Sequence, residues 1–131
     1  MINKPKNYES VKPYTQMDKL PIGGYVLEIL NVKIENTQYG DKLVLGFDIK
    51  EGEQAGFYKK NLAQQAQEDR KWKGNYRLSI PKDDGTEDDN KIQRRFKTVM
   101  DQFEDSNNGF HWDWDEQKLK GKLIGGILAI S

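Results

Sequence analysis

The chain contains no cysteine, which excludes disulfides, a thiolate nucleophile and any cysteine-ligated metal. It has a single histidine, His111, and no G-x-S-x-G element, so no motif brings a nucleophile and a base together. Neither a G-x-G-x-x-G turn nor a Walker A loop occurs, and the two commonest phosphate-cradling signatures are therefore missing. No enzyme and no cofactor are expected. Long apolar runs are missing too: the longest, "LIGGILAI", is far too short to cross a bilayer. The opening "MINKPKNYES" lacks the apolar stretch of a secretory signal. The expectation is a soluble cytoplasmic protein with no membrane partner. Net charge is absent as well, with 21 Lys and Arg against 21 Asp and Glu and a pI near 6.6. No global basic field points to nucleic acid, although a binding groove needs only local charge.

What is present is one domain's worth of sequence. The 131 residues are 35% apolar with a mean hydropathy of −0.92, and 11% are aromatic. A small core in which aromatics supply much of the buried area is expected. Residues 1–20 are polar, carry Pro5 and Pro13 and show no period, so they read as a flexible, mildly basic N-terminal arm. Residues 21–131 read as the folded domain.

In "PIGGYVLEILNVKIE" the apolar residues Tyr25, Leu27 and Ile29 alternate on one parity, and Leu30, Val32 and Ile34 continue on the other. A strand that switches parity midway contains a bulge or passes between sheets. "NTQYGDK" is the turn, with its tip at Gly40 and Asp41, and "LVLGFDI" alternates as a half-buried strand. "EGEQAG" makes a second turn, and "FYKKN" is expected to begin a third strand. "NLAQQAQEDR" suits a short helix capped by Asn61, and "YRLSIP" one further short strand. Residues 90–106 are the main helix, because Ile92, Phe96, Val99, Met100 and Phe103 form one stripe, with Asp89 or Asn90 as its cap. "KLIGGILAI" is the last strand.

Three meander strands, a helix and a further strand follow the order of an OB-fold, a five-stranded Greek-key barrel. The expected class is therefore mostly β with one main helix, an OB-fold-like barrel. Its fifth strand is missing: either the chain has been shortened before its last strand, or "YRLSIP" or a partner chain closes the barrel.

The segment from Phe57 to Arg77 carries Lys59, Lys60, Arg70, Lys71, Lys73 and Arg77 against only Glu68 and Asp69. Interleaved are Phe57, Tyr58, Trp72 and Tyr76. Cations that track phosphate and flat rings that accept any base are the mixture single-strand binding needs. The other reading packs Trp72 and Tyr76 on the barrel while the cations solvate a loop, and sequence alone leaves both open. Tyr39, in the turn, either flanks the same face or is only a turn residue. Arg94, Arg95 and Lys97 read as the solvent face of the helix.

"DDGTEDDN" does not fit a calcium loop, since counting from Asp83 its glycine falls third and its twelfth residue is Arg94. It reads as a solvated loop, and no metal is expected. "HWDWDE" pairs Trp112 and Trp114 with Asp113, Asp115 and Glu116, a combination that can stack on sugars. The plainer reading is that both rings cover an edge of the barrel.

The stretches "NYESVKPYTQ", "LPIGGYVLEILNV", "FDIKEGEQAGFY", "KWKGNYRLSIPKDDG" and "WDWDEQKLKGKLIGG", in this order, resemble single-strand-binding-like proteins of phages and integrative elements of Gram-positive bacteria. The likeness covers nearly the whole chain. It implies an OB-type barrel acting in the replication or recombination of mobile DNA, and no residue roles are carried over from it. Members similar to this chain continue past the "GG" strand with another strand. The expected function is non-enzymatic binding of single-stranded DNA by Lys59, Lys60, Arg70, Lys71, Lys73 and Arg77, with Trp72, Tyr76, Tyr58 and Tyr39 as stacking rings. Homo-oligomerisation is a further expectation. The alternative is an interaction module that docks a replication or recombination protein through the acidic segments, without binding nucleic acid.

Overall fold

The first strand, β1 (Gly23–Thr37), changes its buried parity halfway along. Leu27 and Ile29 are buried on one parity and Val32 on the other, and the pairing register shifts between Ile29 and Asn31. Leu30 is the extra residue of this bulge, and its side chain is exposed. Inserting one residue restores the apolar face to the same side of the sheet. The hairpin to β2 (Gly40–Ile49) turns at Gln38 and Tyr39, two residues earlier than the sequence suggests. This computed structural model describes residues 23–128 and Asn3. The arm expected over residues 1–20, Asn3 excepted, lies outside the described residues.

After β2 the chain departs from its sequence reading. "FYKKN" is not a strand but the start of a helix, α1 (Phe57–Gln64). Two features outside the segment cause this. Gly56 takes a positive φ of 76°, a turn that glycine makes without steric cost. The carboxylate of Asp48, on β2, then accepts the main-chain N–H groups of Tyr58 (2.8 Å) and Lys59 (3.1 Å), two of the donors a helix start leaves unpaired. The helix ends at Gln64 instead of running through "NLAQQAQEDR", and Gln67–Asp69 form a separate 3-10 turn.

The third strand, β3 (Asn75–Ser79), is the "YRLSIP" segment, so it is a member of the meander and not an extra closing strand. A helix, α2 (Glu87–Ser106), follows, capped by Thr86, whose hydroxyl accepts the N–H of Asp89. Asp89 itself is buried and ties the preceding loop, accepting the N–H of Lys82 (2.8 Å) and of Asp83 (3.0 Å). A 3-10 turn at Glu116–Leu119 leads into the last strand, β4 (Leu123–Leu128).

The four strands form one antiparallel sheet in the order β3-β2-β1-β4. Among the described residues there are four strands and not the five expected, and the sheet is open. The core lies on one face: Leu27, Ile29, Leu43, Leu45, Phe47 and Leu78 pack against Phe96, Met100 and Phe103 of α2. Among the described residues no helix of that kind crosses the opposite face of β1, β2 and β3, where Val44 is nonetheless buried.

Candidate nucleic-acid interface

Residues paired across an antiparallel sheet point to the same side, so the register sorts every side chain of the proposed interface. Tyr76 pairs with Leu45, and Leu78 with Leu43, on the core side. Arg77 pairs with Val44, and Val44 with Lys33, on the outer side. The octet "RKWKGNYR" is therefore split: Arg77 points out and Tyr76 points in. Tyr76 keeps 40% exposure because it stands at the open edge of the sheet. There it lines an apolar groove of about 720 Å³ with Tyr25, Val99, Phe103, Ile124 and Gly126. Arg77 is held by Glu35 at 3.6 Å.

The outer row Lys33, Val44, Arg77 lies beside a second row, Glu35, Lys42, Ser79, and a third, Asn31, Gly46, Asn75. Lys33 and Lys42 join Arg77 on this face and were missed by the sequence reading. Their parity within two alternating strands was the signal that would have found them.

The other predicted residues gather at one end of β2. The loop Arg70–Gly74 closes onto that strand through a dense set of main-chain contacts. The N–H of Phe47 donates to the carbonyl of Gly74 (2.8 Å), and Nε1 of Trp72 donates to the carbonyls of Phe47 (3.1 Å) and Gly74 (3.0 Å). Gln65 holds the loop from α1, its amide accepting from the N–H of Lys71 (2.8 Å) and donating to the carbonyl of Lys71 (2.9 Å). Trp72 is consequently half-buried with a fixed ring, 6.3 Å from the ring of Tyr58. Tyr58 packs edge-on to Phe47 and Phe57, and burial pushes its hydroxyl pKa up, aided by the charge of Asp48.

Around this anchored pair stand Lys59, Lys60, Arg70, Lys71 and Lys73. All five are exposed, and none makes an ion pair among the described residues. Tyr39, 79% exposed, is at the tip of the β1–β2 hairpin, at the opposite end of β2 from this cluster. The structure thus brings together Tyr58, Trp72 and the five cations, places Arg77 on the adjoining outer face, and leaves Tyr39 and Tyr76 apart from them.

Trp112 and Trp114, expected over a barrel edge, lie instead on α2. Trp114 stacks on Phe96 with centroids 5.5 Å apart and planes 6° from parallel, and Trp112 meets the same ring at 6.0 Å. Among the described residues no group of histidine, aspartate and glutamate side chains is arranged to hold a metal ion, and no helix is long and apolar enough to cross a membrane.

Fold and site together define a small β-rich domain, which over the described residues is a four-stranded antiparallel sheet with two helices and a cationic, aromatic loop at one end. No family model matches the chain, and no curated protein matches it.

Proposed function

We propose that the chain binds single-stranded DNA without catalysis, in the cytoplasm, serving replication or recombination of a phage or mobile element of the kind it resembles. One observation carries this reading. Trp72 is a half-buried ring, pinned through its N–H by two carbonyls, with exposed Lys71 and Lys73 on either side of it in the chain. A ring already fixed loses little freedom when a base stacks on it, and each such stack contributes roughly 1–3 kcal/mol. The neighbouring lysines make no ion pair among the described residues and can take phosphate, with Lys59, Lys60 and Arg70 beside them and Arg77, paired with Glu35, on the adjoining outer face.

The strand order β3-β2-β1-β4, with α2 between β3 and β4, suits an OB-type Greek-key barrel in which a fifth strand would join β3 to β4. Self-association through these two edges belongs to the same proposal.

The test is a titration of the protein with oligo-dT at several salt concentrations. Binding should quench tryptophan fluorescence, and log affinity should fall linearly with log salt as counterions are released. Trp72→Ala should weaken binding about 5- to 100-fold, the equivalent of one lost stack. No detectable binding to any single strand at low salt would sink the reading.

A further inference from the structure

A cleft of about 1040 Å³ lies between α2 and the segment 110–114. Phe96 and Met100, both buried core residues, line it together with the two tryptophans. Two unusual features meet here. Nε1 of Trp112 is buried and has no hydrogen-bond partner among the described residues, and native structures seldom leave such a donor unpaired. Beside it, Trp114 is 69% exposed and takes a φ of 70°, in the left-handed region that a bulky residue rarely adopts. Phe96 stacks on Trp114 and Trp112 meets it at a tilt, yet most of the Trp114 ring stays in solvent.

The charges around the cleft select the sign of what enters. Asp83, Asp101 and Glu104 line it against Arg94, Lys97 and His111; Lys97 is already within 4.0 Å of Asp101, and Glu104 accepts the main-chain N–H of Trp112 and meets Nδ1 of His111 at 3.0 Å. Trp114 is flanked in the chain by two exposed carboxylates, Asp113, which is already paired with Lys118, and Asp115, with Glu116 next. Asp83, which lines the cleft, is followed in the chain by the exposed Asp84, Glu87 and Asp88. A phosphate chain or an acidic peptide would meet these carboxylates at close range. A cation would meet them and the exposed ring of Trp114, where the ring quadrupole attracts it. The unpaired N–H of Trp112 asks in addition for an acceptor, which a peptide carbonyl supplies and a bare cation does not.

We propose that this cleft docks a short extended segment of a partner protein that carries arginine or lysine and few acidic residues. One cationic side chain packs on the exposed ring of Trp114 beside Asp115, the flanking carboxylate that makes no ion pair among the described residues. A main-chain carbonyl of the same segment accepts the Trp112 N–H, and Trp114, whose ring centre is 5.7 Å from that of Trp112, shifts to admit it. The proposal does not rest on the nucleic-acid reading, because it uses neither α1 nor the Arg70–Gly74 loop.

The test is calorimetric titration of the full chain at moderate salt with a capped eight-residue peptide of alternating glycine and arginine. The glutamate counterpart and oligo-dT are titrated in parallel. The arginine peptide should bind, and Trp114→Ala should weaken it about tenfold, as expected for a desolvated cation over an indole. Trp112→Phe keeps the ring and removes the donor. It should weaken the peptide roughly threefold while the urea midpoint does not fall, a combination that a packing role for Trp112 alone would not give. Trp72→Ala should leave peptide binding intact while reducing binding of oligo-dT, so the two readings fail separately. The proposal is overturned if the arginine peptide does not bind, if Trp114→Ala leaves its affinity unchanged, or if the glutamate peptide or oligo-dT occupies the cleft in its place.

Discussion

Gly74 joins the fold to the proposed interface, and a single methyl group there tests both. Its carbonyl receives the N–H of Phe47 and the indole N–H of Trp72. A Cβ added at Gly74 would stand 2.5 Å from the carbonyl oxygen of Phe47, and 2.9 and 3.0 Å from Cγ and Cδ2 of Tyr58. Carbon and carbonyl oxygen ordinarily approach to about 3.3 Å, so the overlap with Phe47 is close to an ångström. That oxygen cannot yield cheaply, since it belongs to β2 and also accepts Nε1 of Trp72 at 3.1 Å. The loop must therefore lift. Overpacking of this kind costs about 1–3 kcal/mol, and weakening the indole hydrogen bonds adds about 1 kcal/mol. Gly74 does not have a positive φ, so alanine gains the usual unfolded-state advantage of about 0.4–1 kcal/mol. The steric term is the larger, and Gly74→Ala should destabilise by about 2 kcal/mol.

Urea denaturation followed by far-UV circular dichroism measures this directly. With a slope of about 1–3 kcal/mol per molar, the midpoint should fall by roughly 1 M with the slope unchanged. Gly125→Ala is the control, because a Cβ at Gly125 meets nothing within 4 Å. It should stay within about 0.5 kcal/mol of the parent. If Gly74→Ala proves as stable as Gly125→Ala, the close docking of the loop onto β2 is wrong, and the fixed ring of Trp72 falls with it.

Two further perturbations test the elements that hold the site. Asp48→Ala removes a carboxylate that accepts the N–H groups of Ile49, Tyr58 and Lys59, so α1 should lose its anchor at a cost of about 2 kcal/mol. Asp48→Asn should recover part of it, both read as shifts in the urea midpoint, and equal stability of the alanine variant and the parent would refute the anchoring role. Asp89 has a pKa held below its ordinary value of 3.8, chiefly by the main-chain N–H of Lys82 and then by the side chain of Gln93. A folded-state pKa that is depressed means stability fully present above the unfolded value and lost as pH falls toward the folded one. The melting temperature of the parent should therefore drop below about pH 4 more steeply than that of Asp89→Asn, and parallel acid limbs would contradict the assignment.

Local periodicity made part of this fold legible. The parity switch in β1 marks the bulge at Ile29 and Asn31, the alternation of Leu43, Leu45 and Phe47 marks β2, and the Phe96, Met100, Phe103 stripe marks the core face of α2. The third strand was misplaced because its cause is not local. Phe57 and Tyr58 favour strands by type, but the carboxylate that turns them into a helix start lies ten residues away from Tyr58, on β2. The tryptophan pair failed for a related reason. The two rings do come together, but on Phe96 of α2, and the positive φ of Trp114 shows that the chain there is not the strand the expectation assumed. The split of the octet, by contrast, was written in the sequence. Tyr76, Leu78 and Ile80 share a parity, so once "YRLSIP" is placed as a strand the tyrosine must face the core and Arg77 must face away.

The balanced charge of the chain also reads differently once the strands are in place. The cations Arg70, Lys71 and Lys73, which make no ion pair among the described residues, precede β3, and the carboxylates of 83–88 follow it. Five residues of strand separate the two groups by about 17 Å, twice the distance of about 8 Å over which physiological salt screens exposed charges. A polyanion at Lys71 and Lys73 is thus affected little by the acids beyond the strand. Net charge governs a partner's approach only when the groups summed lie within one screening length. Here they do not, so a total of zero is compatible with two surfaces of opposite preference on one small domain, and it argues against neither.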